Sequence, residues 1–186
     1  RVLFRSLNAV EKGQDLSVSG TSANLAEGTV VTVTLNGKNY TATTAADGTW
    51  SLTVPAADLA GLGEANYILS ASATNGVGNS VSNTANLLVD TALPTVTINT
   101  VAGANVINAA EAAAGQTLSG KVTNAEAGNT VTVTIGGNRY TATVQNDLTW
   151  SVNVPSDVLT ALGNGSLSVT ATVTNGHGNT GTGERE

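Results

Sequence analysis

Apolar and polar residues alternate along short stretches of this chain, and each stretch is closed by residues that suit a turn. Val31, Val33 and Leu35 share one face while Thr32 and Thr34 take the other, the period of two expected of a half-buried strand. Asn36-Gly37 follows, a dipeptide that tolerates positive φ at both central positions of a tight hairpin. The next strand points Tyr40 and Ala42 inward, and a second turn at Asp47-Gly48 leads into the alternating Trp50-Ser51-Leu52-Thr53-Val54. After Pro55, the stretch Ala56 to Gly63 has Pro early and Gly at its end, which predicts one or two helical turns. A further strand is expected near Ser80 to Val89. Short strands between turn signals predict an all-β, antiparallel sandwich, with a short helical turn crossing between its sheets.

The same pattern is written twice. Shifted by 100 residues, Leu7 to Ser82 aligns without a gap on Ile107 to Thr182, with 31 of 76 positions identical. A period this long marks a tandem pair of whole domains, because solenoid units are shorter. The reading is repeat one over 7–90, a linker over 91–94 and repeat two over 95–182. Residues 1–6 and 183–186 fit neither copy and are set aside as additions foreign to the repeat. Copy two has an opening strand, Thr95 to Asn99, that copy one lacks, and copy one has a last strand, Ala85 to Val89, that copy two lacks. Each sandwich is therefore expected to be short of one edge strand. An unpaired row of backbone groups would be covered by chain ends or by edge pairing between chains.

Composition supports this picture. Charged residues are 11% and aromatics 3%, with 21 glycines among many Thr, Val, Ala and Asn, the mixture of strand and turn formers expected of an all-β chain. A net charge of −6 argues against a nucleic-acid partner, whose phosphates need a basic stripe. There is no cysteine, hence no disulfide and no thiolate metal site, and each domain must stand on its core, helped at most by a hard cation. No apolar run approaches the roughly 20 residues needed to span a bilayer, so no membrane insertion is expected.

Candidate chemistry is sparse. The one histidine, His177, sits in the turn Asn175-Gly176-His177-Gly178-Asn179 and corresponds to Val77 in copy one, so it reads as a loop side chain rather than a catalytic base. No nucleophile elbow, metalloprotease helix motif or phosphate loop is present. Asp47 and Asp147 precede strands and read as turn formers. Trp50 and Trp150 lie on the inward side of their strands and read as core, with sugar stacking as the alternative. The informative polar groups are Asn75 in its turn, Asp90 in the linker, and Asn108 and Glu111 in the following loop. Brought to one junction they would offer oxygen ligands suited to calcium; the plainer reading is that they cap turns.

With these motifs assembled, the chain resembles the bacterial immunoglobulin-like repeats of giant, type I-secreted, biofilm-associated adhesins of Gram-negative bacteria. The resemblance rests on Val-Asp-Thr-x-x-Pro-Thr-Val-Thr-Ile at 89–98, Ile-Asn-x-Ala-Glu at 107–111, Leu-Ser-Gly at 118–120, Thr-Trp-Ser-Val-x-Val-Pro at 149–155, and Thr-Asn-Gly-x-Gly-Asn at 74–79 and 174–179. It implies two tandem immunoglobulin-like sandwiches in an extracellular rod at the cell surface, with neighbouring repeats of the same polypeptide as partners. It also implies calcium at interdomain joints, held by Asp90 and Glu111 with Asn108 and Asn75 in matching motifs. Relatives commonly carry Asp where this chain has Asn75 and Asn175, which removes a formal charge from the implied site. The function so implied is a non-catalytic spacer in adhesion and biofilm formation. The alternatives are a glycan- or protein-binding sandwich and an accessory domain of a secreted hydrolase; a binding copy would diverge in one loop cluster, whereas here divergence is spread over strands and outward faces.

Overall fold

The computed structural model describes residues 5–186. The chain divides into two compact units, Arg1–Thr91 and Ala92–Glu186, each with its own buried core.

Unit 1 opens on β1 (Arg5–Leu7), a single 3-10 turn (Glu11–Gly13), and β2 (Leu16–Thr21). Then come β3 (Val30–Leu35), β4 (Lys38–Thr43), β5 (Thr49–Val54), α1 (Ala56–Ala60), β6 (Ala65–Thr74) and β7 (Ser80–Val89). One sheet runs β1-β7-β6-β3-β4 and faces the pair β2-β5. All pairings are antiparallel except β1 with β7, which is parallel. The turn between β3 and β4 has φ of 48° at Asn36 and 77° at Gly37, the left-handed pair that the Asn-Gly dipeptide predicts. Inward residues alternate as expected: Val31, Val33 and Leu35 are buried, with Leu59 from α1, Leu87 and Val89 from β7, and Trp50 beside them.

Unit 2 repeats this plan with β8 (Thr95–Val96), α2 (Ala109–Ala114), β9 (Gln116–Thr123), β10 (Thr130–Ile135), β11 (Asn138–Thr143), β12 (Thr149–Val154), α3 (Ser156–Ala161), β13 (Val169–Thr174) and β14 (Thr180–Arg185). Its sheets are β11-β10-β13-β14 and β12-β9-β8. The β8 pairing continues past Val96, because Thr97 and Asn99 donate their amides to the Lys121 and Ser119 carbonyls at 2.8 Å each. Trp150 is 1% exposed and faces Gly120 across the β9–β12 ladder, as Trp50 faces Gly20 in unit 1. A Cβ on either glycine would press into the indole, so a glycine opposite the tryptophan is what lets the ring lie flat on the neighbouring strand.

One expectation about the chain ends needs correction. Residues 5–6 and 183–185 are not foreign to the repeat: Arg5 and Ser6 pair with Leu87 and Leu88 in β1, and Gly183 to Arg185 pair with Ala171 to Val169 in β14. Residues 1–4 of that expectation lie outside the described residues. Residues 183–185 join β14 because strand membership depends on backbone pairing, which Gly-Thr-Gly-Glu-Arg supplies despite sharing little sequence with its counterpart. β1 is the counterpart of 105–107 under the 100-residue shift rather than of β8, and β14 covers six residues where β7 covers ten, stopping before the counterparts of Asn86 to Val89.

Candidate functional site

The turn between β6 and β7 fixes Asn75. Its Oδ1 accepts from the Val77 amide at 3.2 Å and the Asn79 amide at 2.9 Å, a side-chain-closed turn of the kind Asn favours. From there β7 runs its full ten residues before the chain reaches Asp90, a span of roughly 30 Å at strand rise. Asn75 and Asp90 therefore occupy opposite ends of unit 1. At the Asp90 end, the Asp90 amide donates to the Leu7 carbonyl at 3.0 Å, and the Thr91 hydroxyl donates to Glu64 at 2.9 Å.

Asn108 and Glu111 form the reciprocal cap of α2. Asn108 Oδ1 accepts from the Glu111 amide at 3.0 Å, and Glu111 Oε2 accepts from the Asn108 amide at 2.9 Å, satisfying two amides that a helix start leaves without intrahelical partners. This cap sits at the end of unit 2 where β14 finishes, since Arg185 donates to the Ile98 carbonyl at 2.8 Å and to Asn105 at 3.1 Å. The chain enters unit 2 at the other end of β14, where Gly181 lies against the Pro94 carbonyl.

The four residues expected to share a calcium ion are accordingly not gathered into one set. Asn75 lies away from the exit of unit 1, and Asn108 and Glu111 lie away from the entry of unit 2. Among the described residues, no three His, Asp or Glu side chains stand close enough together to hold a metal ion. The residue that does share an end with Asp90 is Glu11, the counterpart of Glu111 in copy one. Its carboxylate accepts from the Asn8 amide at 3.3 Å and its own amide donates to Asn8 Oδ1 at 2.8 Å, and Asn8 directly follows the Leu7 that binds Asp90. At the entry of unit 2, Asn124 donates to the Leu93 carbonyl at 3.2 Å, Asn175 donates to the Asn124 carbonyl at 3.2 Å, and Glu126 accepts from the Gly176 amide at 3.0 Å. The signal for both was the 100-residue shift itself: Glu11 and Asn175 are the repeat equivalents of the residues first singled out.

The remaining candidates have structural surroundings. His177 donates its amide to Asn175 Oδ1 at 3.1 Å and is half-buried in its turn. Both tryptophans are core, at 7% and 1% exposed, so neither presents a ring face to a sugar. Asp47 accepts from the Thr49 amide at 3.0 Å and its hydroxyl at 2.7 Å, and these bonds hold its carboxyl below the ordinary value; Asp147 repeats the arrangement on Thr149. Copy one alone carries a polar trio on β4 and α1. Lys38 pairs with Asp58, and the Tyr40 hydroxyl donates to Asp58 Oδ2 at 3.0 Å. The Lys38 and Tyr40 hydrogen bonds lower the Asp58 carboxyl, while burial, then Asp58 itself, pushes the Tyr40 phenol up to about 12. Copy two replaces Lys38 and Asp58 by Asn138 and Val158, so the trio ties α1 to its sheet rather than serving a function both copies need.

Two sheets closed face to face by short hairpins, with one helical turn crossing between them, define an immunoglobulin-like β-sandwich protein. Residues 15–91 match the family model described as the bacterial Ig-like domain. Residues 15–91 thus belong to the bacterial Ig-like domain family, and the second copy repeats their sequence at a shift of 100 residues. A solved structure from a 1.5-MDa bacterial ice-binding adhesin is similar over 97% of this chain, at 31% identity and a TM-score of 0.59. A second, from a Ca2+-stabilized adhesin with which an Antarctic bacterium binds ice, is similar over 96% at 35% identity and a TM-score of 0.61. The chain spans about half the length of those two structures, 58% and 44%. No curated protein matches. The chain is thus homologous to domains of large bacterial adhesins.

Proposed function

We propose that this chain is a non-catalytic spacer within an extracellular adhesin on the surface of a Gram-negative bacterium, serving adhesion and biofilm formation, with its interdomain joint stiffened by calcium. The observation that carries the reading is that both copies close their own cores with the same hairpins, the same Trp–Gly pairing and the same capped loop. Neither copy has diverged into one enlarged loop cluster, as a ligand-binding repeat would. Burial of both tryptophans leaves the glycan-binding alternative without a stacking surface.

Calcium enters from the neighbour described as Ca2+-stabilized. Of the residues first expected to hold it, Asp90 is the one at the joint, and Glu11 and Glu64 share its end of unit 1. The test is thermal unfolding in calcium and in chelator for the parent, Asp90→Ala and Glu111→Ala. A ligand that binds only the folded state raises the midpoint with its free concentration. Asp90→Ala should erase that rise. Glu111→Ala should keep it, while lowering the midpoint in both buffers because a cap is lost. A parent midpoint indifferent to calcium removes the metal from the proposal; small-angle scattering that returns a collapsed pair rather than an extended one removes the spacer.

A further inference from the structure

Asn-Gly occurs four times in the chain, at 36–37, 75–76, 164–165 and 175–176. Such a pair can react with itself, because a glycine amide carries no side chain to hinder its approach to the preceding side-chain carbonyl. Two of the four, Asn75 and Asn175, are held in the same turn of their respective copies. Asn75 Oδ1 accepts from the Val77 amide at 3.2 Å and the Asn79 amide at 2.9 Å, and Asn175 Oδ1 from the His177 amide at 3.1 Å and the Asn179 amide at 2.9 Å. Two fixed N–H donors on a carbonyl oxygen stabilise the negative charge it gains when its carbon is attacked. Both turns therefore present an activated side-chain amide, and they differ in the group that would attack it. In unit 2 the Gly176 amide donates to Glu126 Oε2 at 3.0 Å, and Asn175 Nδ2 donates to the Asn124 carbonyl at 3.2 Å. The first bond must break before Gly176 can attack, and a carboxylate beside the amide disfavours its anion. The second holds the nitrogen that would have to leave. Copy one has Ala26 in place of Glu126, and among the described residues the Gly76 amide forms no hydrogen bond. A Cβ at Gly176 would meet Glu126 Oε2 at 3.5 Å, whereas one at Gly76 would meet nothing within 4 Å.

We infer that Asn75-Gly76 is a self-modification site, where the asparagine becomes aspartate or isoaspartate, and that Glu126 withholds the same reaction from Asn175-Gly176. The Gly76 amide gives its proton to hydroxide, and its nitrogen bonds to Asn75 Cγ. The Cγ–Nδ2 bond then breaks, and Nδ2 takes a proton from water and leaves as ammonia. One water opens the five-membered imide that results. Opening at Cγ leaves Asp, whose carboxylate the Val77 and Asn79 amides hold more strongly than they hold an amide oxygen. Opening at the main-chain carbonyl leaves isoaspartate, with the backbone routed through the side chain. Water and hydroxide are the only co-reactants. The contrast rests on residues 26 and 126, which belong to the two copies themselves, and it holds whether or not the chain is a spacer.

The test is incubation of the folded 186-residue chain at mildly alkaline pH, with amide-to-acid conversion at each asparagine followed by peptide mass spectrometry. Asn75 should convert about tenfold or more faster than Asn175, the rate equivalent of the one charge-assisted hydrogen bond that Gly176 must give up. Glu126→Ala should bring Asn175 up towards the rate of Asn75 while leaving Asn75 unchanged, and Glu126→Gln, which keeps an acceptor but not its charge, should fall between. Ala26→Glu should slow Asn75, an arm that reads unit 1 and so decides the matter even if a Glu126 variant loosens unit 2. In urea the two sites should convert at similar rates, since the guard exists only in the fold. The inference is overturned if Asn175 converts as fast as Asn75 in the folded parent, if the difference persists in urea, or if Asn75 is no slower in Ala26→Glu.

Discussion

Leu148 occupies a backbone conformation that a leucine resists. Its φ is 62°, and the equivalent residue in copy one is Gly48 at 79°. The turn holds Leu148 there because its amide donates to the Gln145 carbonyl at 3.0 Å and its carbonyl accepts from the Val122 amide at 2.9 Å. A left-handed conformation costs a non-glycine residue about 1–2 kcal/mol, part of which glycine gives back through its freer unfolded chain. Leu148→Gly should therefore stabilise unit 2 by about 1 kcal/mol, read as a rise in the urea midpoint with unchanged slope. A fall would mean that the leucine packs better than its 36% exposure implies. The turn itself was legible from Asp147, whose carboxylate binds Thr149, but the conformation at 148 was legible only by reading the two copies against each other. The same holds for the candidate site. Asn108-x-x-Glu111 fits a helix cap and a ligand set equally well as text. Only the structure shows both of its side chains turned onto backbone amides at 2.9 and 3.0 Å.

At the scale of elements, the two copies differ most where β8 crosses β14. A Cβ at Gly181 would strike the Pro94 carbonyl, and one at Gly183 would strike the Val96 carbonyl. The two glycines are what let the opening strand of unit 2 press its backbone onto β14. Copy one carries Val81 and Asn83 at those positions, and Val81 is 55% exposed, with no strand lying over it among the described residues. The alternation of strands and the hairpin turns were readable from apolar spacing and dipeptides. The role of 183–185 was not, because a glycine chosen for a close approach carries no hydrophobic signal. Gly183→Asn, which installs the copy-one residue, should push β8 away at a cost of about 2 kcal/mol, within the usual range for overpacking. Hydrogen exchange checks this directly: the Thr97 and Asn99 amides, bonded to β9 in the parent, should lose protection while β10 and β13 keep theirs. Unchanged protection at both amides would show that β14 yields instead.

For the whole molecule, the decisive feature is that burial is organised in two separate clusters. One is built from residues of Leu7 to Val89 and the other from residues of Val96 to Val173. No strand is shared between their sheets. A chain with one continuous core unfolds in one step, whereas two cores of this size can each satisfy the two-state condition by themselves. Leu118 is 1% exposed in the unit 2 cluster, and truncating such a leucine to alanine costs about 3 kcal/mol through lost transfer energy and the cavity left behind. In a domain of this length, that is a fall of more than about 10 °C in the midpoint of the affected unit. Calorimetry on Leu118→Ala should therefore show two transitions, one displaced downward and one at the parent temperature, with the second assigned to unit 1 by its own downward displacement in a Leu59→Ala background. A single transition moving as a whole would mean that the units unfold as one cooperative block. The independence of neighbouring repeats, on which the spacer reading relies, would then have to be replaced by stability coupled through the joint.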